Sequence, residues 1–446
     1  MRPFYETFSM CNKTLIERSR AAVWHPCTQM KQHERLPLIP ISRGQGVWLY
    51  DFEGQRYLDA ISAWWVNLFG HANPRINAAL RDQLEQLEHV MLAGFTHAPV
   101  VELSERLSHL APGNLGHCFY ASDGASAIEI ALKMSFHFWR NSGQPKKMGF
   151  VSVANAYHGE TLGALSVTDV ALFKDTYAPL LRHSHHVPSP DWRLAAPGEN
   201  AESYALRCAH ALAQYLEQHH STTAALIVEP LVQCAGGMAM HHPVYLHRVR
   251  EICEQFQVHL IADEIAVGFG RTGTFFACEQ AAVTPDFLCL SKGLTGGYLP
   301  LSVVLTREAI YQAFYHDETA RGFLHSHSYT GNPLACRAAL ATLEIFEQDQ
   351  VILSNRIKAA RFTAMMQRLQ EHPRVRHFRH TGMIWAFDVA DTTPDFSQQF
   401  YQAALQRGLL LRPLGATLYF MPPYVLEEED MQTLILGTIA CLDACD

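Results

Sequence analysis

No apolar stretch in this chain approaches the roughly 20 consecutive apolar residues that a membrane-spanning helix needs, which excludes such a span. No basic run is present either, and the formal net charge is -8 at pH 7. That argues against a nucleic-acid footprint. The first twenty residues, Met1 to Arg20, mix charged and polar side chains without a hydrophobic segment. No signal peptide is read there, and a cytosolic protein is expected. CxxC pairs are absent, and the cysteine count of 11 is odd. Cys27, Cys118, Cys234, Cys289 and Cys336 are scattered, most of the cysteines lying in apolar contexts. Reduced, mostly buried thiols are expected, not a disulfide framework. There is no internal repeat and no low-complexity tract. The 25 histidines are densest at His183-Ser184-His185-His186 and at His241-His242. Neither group has the spacing or cysteine company of a structural zinc site, so surface histidines without a metal are expected.

What is present is a chain of 446 residues, 48% hydrophobic and 17% charged, which suits a soluble enzyme with a large core and about two domains. Between about His71 and Gln348, short apolar runs alternate with amphipathic segments. Strands are predicted at Cys118–Tyr120, Gly149–Val153, Ala225–Val228, Val258–Ala262, Phe287–Leu290 and Ser302–Leu305. Helices are predicted between them, such as Ser126–Trp139 and Tyr245–Phe256. That alternation predicts an α/β fold with a mostly parallel, doubly wound sheet. The stretch from Val187-Pro188-Ser189-Pro190 to Asn200 reads as a surface loop. Val47 to Asp59, turning at Glu53-Gly54, reads as a hairpin. From Asp349 onward the chain reads as a smaller α+β unit, with strands at Ile384–Val389 and Thr417–Met421 and a helix at Glu428–Leu442. The expected division is 1–70 as an N-terminal part of the small domain, 71–348 as the large domain and 349–446 as the C-terminal part of the small domain.

Two apolar runs end in ionisable residues. Phe287–Leu290 leads into Ser291-Lys292-Gly293, and Val258–Ala262 leads into Asp263-Glu264. Open α/β sheets bind ligands at the carboxyl edge, where a lysine can form a Schiff base with an aldehyde. A nearby carboxylate can hold a pyridine nitrogen protonated. Together these two groups are what pyridoxal phosphate (PLP) asks of a protein. Ser122-Asp123-Gly124-Ala125-Ser126 follows a strand and opens a helix, so its backbone N–H groups suit a phosphate; an ordinary N-cap explains the same residues without a ligand. Tyr157, in Asn155-Ala156-Tyr157-His158-Gly159-Glu160-Thr161, is placed to stack on a flat ring. Glu229 ends another strand, either beside the site or as a structural acid pairing with Arg271. Ser328 suits a phosphate, and Arg412 suits a carboxylate or a surface ion pair. Lys292, released from a cofactor, would act as a general base.

These residues resemble the class III (fold-type I) PLP-dependent aminotransferases. The resemblance rests on Leu260-Ile261-Ala262-Asp263-Glu264-Ile265-Ala266-Val267-Gly268-Phe269-Gly270-Arg271-Thr272-Gly273 and on Ser291-Lys292-Gly293, and it runs from about Trp24 to about Pro423. Trp24-His25-Pro26, Ser62-Ala63-Trp64-Trp65, Ala156 to Thr161, Arg412-Pro413-Leu414-Gly415 and Tyr419 to Pro423 are similar to the branch that aminates 8-amino-7-oxononanoate with S-adenosylmethionine in biotin biosynthesis. The resemblance implies a cytoplasmic homodimeric transferase with shared active sites. It implies Lys292 as the Schiff-base lysine, Asp263 as the pyridinium partner and Tyr157 on the ring. Gly124 and Ala125 would bind phosphate, joined by Ser328 from the second subunit. Trp64 and Trp65 would line the substrate pocket, with Arg412 at a carboxylate, Tyr419 nearby and Arg271 near the entrance. The chain departs from the pattern at Cys27, where the family has a substrate-contacting tyrosine; Tyr5 and Phe8 are candidates to fill that space. Ala125 stands where a hydroxyl is common. Two alternatives stay open: a family member using lysine, a diamine or an ω-amino acid as donor, and a PLP-fold protein without transaminase activity.

Overall fold

All six apolar runs predicted as strands lie side by side in one sheet of a computed structural model, which describes residues 11–36 and 38–445. Tyr5 and Phe8 fall outside the described residues. The strands, in chain order, begin with β1 (Ile41–Gln45), β2 (Trp48–Asp51) and β3 (Arg56–Asp59), then β4 (His117–Ala121), β5 (Gly149–Val153), β6 (His185–Val187) and β7 (Thr223–Val228). A small hairpin follows, β8 (Val232–Gln233) and β9 (Ala239–Met240), and then β10 (His259–Asp263), β11 (Phe287–Leu290) and β12 (Ser302–Thr306). The last four are β13 (Val375–Thr381), β14 (Ile384–Val389), β15 (Leu409–Leu410) and β16 (Thr417–Phe420).

The large sheet has the order β4-β12-β11-β10-β7-β5-β6. Neighbours from β11 to β6 pair in parallel, and only β12 runs against the rest. Its central strands bury both faces, which is why they read as unbroken apolar runs. In β7 and β10, Leu226, Val228, Leu260 and Ala262 pack into one core layer, while Ala225, Ile227 and Ile261 pack into another with the helix Gly124–Asn141. Each fully buried Leu or Ile there contributes about 1.5–3 kcal/mol. That helix carries Ile128, Ala131, Leu132 and Ser135 on its buried side, and Asp123 caps it by accepting from the Ser126 N–H at 2.9 Å. Because the strands are parallel, the chain leaves β4, β5, β7, β10 and β11 at the same edge.

Besides the β8–β9 hairpin, two smaller sheets are found among the described residues. β13, β14 and β16 form an antiparallel sheet. The β2–β3 hairpin is present as predicted, and β3 pairs in parallel with β15, Leu58 opposite Leu409. The N-terminal hairpin is thereby joined to chain more than three hundred residues away.

Two expectations are corrected. The stretch 187–200 is not simply a surface loop: Val187 ends β6, and Ser189, Pro190 and Asp191 are buried. Asp191 holds Arg193 at 2.7 Å, and Arg193 reaches Asp388 in β14 at 3.0 Å, so this segment straps two sheets together. The dense histidines are not simply surface groups either. His185 and His186 lie half-buried in β6, His185 stacked on Tyr215 at 3.8 Å, and His241 is buried. Eight of the 11 cysteines are buried, while Cys27 is exposed.

Candidate active site

The common carboxyl edge gathers ionisable groups from several strands. Asp263 is the last residue of β10; Lys292 lies just beyond β11, whose Cys289 is in register with Asp263. Both line one cavity of about 320 Å³ with Trp65, Gly124, Tyr157, His158 and Glu229. That size suits a small cofactor with part of a substrate. Lys292 has a φ of +44, and its Nζ lies 4.6 Å from the centroid of the Trp65 ring. Burial pushes its pKa down, against the opposing pull of Cys234, Asp263 and Glu229.

Asp263 is oriented from two directions. Its Oδ1 accepts from the Ile265 N–H at 3.1 Å, and its Oδ2 lies 2.8 Å from His158 Nδ1. A carboxylate with one bond to each oxygen retains acceptor capacity toward the cavity. The His158 backbone is itself fixed, its main-chain N–H donating to Thr168 Oγ1 at 2.9 Å. Glu229 directly follows β7, and its two oxygens accept from the Tyr157 and Cys234 N–H groups, each at 3.0 Å. Burial raises its pKa to about 7. It pairs with these amides and not with Arg271. Tyr157 is half-buried, and its hydroxyl donates to Glu160 at 2.9 Å. Burial and the Glu160 charge push its pKa up.

The helix Gly124–Asn141 points its N-terminus at the same cavity. Its first internal bond is from the Ala127 N–H to the Asp123 carbonyl, at 3.1 Å, so the N–H groups of Gly124 and Ala125 lie ahead of the helical ladder, where an anion is favoured. Glycine matters here for space: a Cβ on Gly124 would meet Ile265 at 3.0 Å, and one on Gly159, at φ +121, would meet the Ala125 Cβ at 2.6 Å.

The remaining wall comes from Ser62–Trp65, one helical turn of the wrong hand. Its four residues have φ of +52, +47, +73 and +73, and none is glycine. For L-residues such a turn costs roughly 1–2 kcal/mol per residue. Trp65 is buried and donates its indole N–H to the Tyr419 hydroxyl at 3.1 Å. Trp64 is 41% exposed, with the Arg412 guanidinium 4.5 Å from its ring centroid. Arg412 also reaches the Cys27 carbonyl at 3.5 Å. The structure thus brings Lys292, Asp263, Tyr157, Gly124 and Ala125 to one cavity, with Trp64, Trp65, Tyr419, Arg412 and Cys27 linked by contacts on one side of it.

Arg271, expected near the substrate entrance, is 1% exposed. Its guanidinium donates to the carbonyls of Pro422 at 2.6 Å and Asn67 at 3.1 Å, beneath the Tyr424 ring. It serves backbone oxygens and ties three segments together. Ser328 is exposed and does not line the cavity of its own chain.

The family model for aminotransferase class-III matches residues 29–442. The chain belongs to the class III aminotransferases. Among relatives, an adenosylmethionine-8-amino-7-oxononanoate aminotransferase from Helicobacter pylori is 48% identical over 94% of this chain and 96% of its own. The crystal structure of the enzyme of that name from Methanocaldococcus jannaschii superposes with a TM-score of 0.91 at 33% identity, covering 97% of this chain and 99% of that one. An omega transaminase from Pseudomonas jessenii, in complex with PMP, gives a TM-score of 0.92 at 28% identity, covering 96% and 98%.

Class III aminotransferases are PLP-dependent, and this cavity fits the group: an amine, a carboxylate with spare acceptor capacity, a planar aromatic side chain, and glycines that leave an anion cradle open. Sequence reasoning passed over His158 and Glu160 as functional residues, although both stand in the segment that carries Tyr157. Their signal was available, because each is an ionisable residue just past a predicted strand. The left-handed turn gave no signal, since Ser-Ala-Trp-Trp contains none of the residues that favour positive φ.

Proposed function

We propose that this aminotransferase moves an amino group from S-adenosylmethionine to 8-amino-7-oxononanoate, giving 7,8-diaminononanoate, a step of biotin biosynthesis. The observation that carries this reading is the 48% identity, over nearly full length, to a relative of that name. The contacts of Trp65 with Lys292 and Tyr419, and of the neighbouring Trp64 with Arg412, support it.

When bound, PLP supplies a reactive carbonyl carbon and an electron-accepting ring. The protein's own residues do the rest. Lys292 would hold the cofactor at rest and, when free, would act as the base that moves a proton from the donor carbon toward the cofactor side. The lowered pKa of its ammonium suits that work. Asp263, steadied by His158, would keep the ring nitrogen protonated, and Tyr157 would lie against the ring. The N–H groups of Gly124 and Ala125 meet the phosphate, and the partner subunit's Ser328 completes that cradle in a homodimer. Arg412, stacked on Trp64, would meet a substrate carboxylate with its guanidinium edge, and Tyr419 would help fix orientation. Cys27, small where the family carries a tyrosine, widens the donor side. On this reading the reaction runs in the cytoplasm.

The test is a half-reaction. S-adenosylmethionine added to the holoprotein without a keto acceptor is expected to convert the cofactor absorbance to that of the pyridoxamine form, and 8-amino-7-oxononanoate to reverse it. Conversion by lysine or another amine, with none by S-adenosylmethionine, would keep the reaction class and overturn the donor.

A further inference from the structure

The strained turn Ser62–Trp65 is wedged between the lysine loop and the far end of the chain. On one side, Ser62 Oγ donates to the Met421 carbonyl at 2.7 Å, and the Met421 N–H donates to the Ala60 carbonyl at 2.9 Å. On the other side lies the glycine loop after Lys292. A Cβ on Gly297 would stand 2.8 Å from the Asn67 Cα and 2.9 Å from the Val66 carbonyl carbon. The turn closes on itself through the Trp65 N–H to Ile61 at 2.7 Å and the Val66 N–H to Ser62 at 2.9 Å. Successive side chains on a helical turn are rotated by about 100°, and reversing the hand reverses that rotation. A right-handed turn on the same anchors would therefore not place Trp65 against Lys292 and Tyr419 while placing Trp64 under Arg412.

We infer that the left-handed conformation of this turn, held by Ser62 and Ala63 as positioning residues, sets the shape of the substrate pocket by assigning one indole to the lysine and the other to the carboxylate-binding arginine. The inference rests on the functional reading above for the identity of the substrates. Its consequence is that pocket recognition depends on the backbone preference of residue 63, whose side chain is exposed. Because that side chain is not packed into the core of its own chain, the glycine and valine variants set a backbone effect apart from loss of core packing.

The experiment compares holoenzymes carrying Ala63→Gly, Ala63→Val and Ser62→Ala with the wild type, reading kcat and KM for each substrate, cofactor absorbance and melting temperature. Glycine takes positive φ freely and a β-branched residue resists it. Ala63→Gly is expected to keep KM within about twofold and to melt no lower than the wild type. Ala63→Val is expected to retain the cofactor absorbance and to raise KM for the amino acceptor about tenfold or more. Should Ala63→Val fail to fold, Ser62→Ala answers the question, with an expected rise in that KM of about fivefold and unchanged cofactor absorbance. Wild-type KM in Ala63→Val, equal loss in both Ala63 variants, or wild-type kinetics in Ser62→Ala would overturn the inference. A wild type that ignores S-adenosylmethionine and 8-amino-7-oxononanoate overturns the functional reading alone; the variants are then compared on whichever amine and keto acceptor the wild type does use.

Discussion

Lys292 leaves its strand with positive φ and is brought beneath an indole ring, and the surroundings that make it useful also make it costly. Its folded pKa lies below the ordinary 10.5 because of burial. Below the folded pKa both folded and unfolded chains carry the ammonium, and the folded apoprotein bears its full desolvation. As pH rises through the folded pKa, the native state releases its proton while the unfolded chain keeps it until about 10.5. Stability must therefore rise with pH across that window. The expected outcome is that Lys292→Met apoprotein, more stable than wild type near neutral pH, loses that advantage as the pH approaches 10.5. Denaturation midpoints at several pH values measure it; a gap that stays constant would show that the ammonium carries no such penalty.

Among the elements, the parallel strands were the most legible from sequence. β11 and the Leu260–Ala262 stretch of β10 are apolar because both faces are covered, and the ionisable residue at or just past the end of each run marks where the strand meets solvent or ligand. β6 was missed because His185 and His186 look polar; their needs are met by the Tyr215 ring and by Ser152 and Lys174, the latter two at 2.8 Å each. The turn Ser62–Trp65 was illegible for a different reason, its conformation being imposed by partners some 350 residues away. Lys147 is a third case. It sits in a Gly-Gln-Pro-Lys-Lys turn, where a lysine ordinarily faces water, yet it is 3% exposed. Its Nζ donates to the carbonyls of Gln257 at 2.6 Å, His220 at 3.0 Å and Thr223 at 3.4 Å, tying the entries of β5, β7 and β10. Lys147→Met is expected to cost about 2–4 kcal/mol, since the buried carbonyls lose a charged donor. Urea denaturation checks it, and a loss within about 0.5 kcal/mol, as at an ordinary surface site, would mean that water replaces the amine.

For the whole molecule, the exposed Ser328 outside its own cavity makes subunit sharing directly testable. Ser328→Ala is expected to weaken PLP binding roughly tenfold through loss of one hydrogen bond to a charged group. Mixed dimers of Ser328→Ala with Lys292→Ala should recover one intact site, because the lysine of one chain then meets the serine of the other. Cofactor titration of the mixture reads this out, and no recovery would place Ser328 in its own subunit's site or in none. The pairing of β3 with β15 has a consequence in time as well as in space. Ser62 and Trp65 must wait for Met421 and Tyr419, separated from them by 359 and 354 residues. A nascent chain emerging from the ribosome can assemble β10 and β11, with Asp263 and Lys292, well before residue 419 exists. The substrate wall, by contrast, can close only when synthesis is almost finished. Until then the Ser62–Trp65 turn lacks the Met421 and Tyr419 partners that hold it against the lysine.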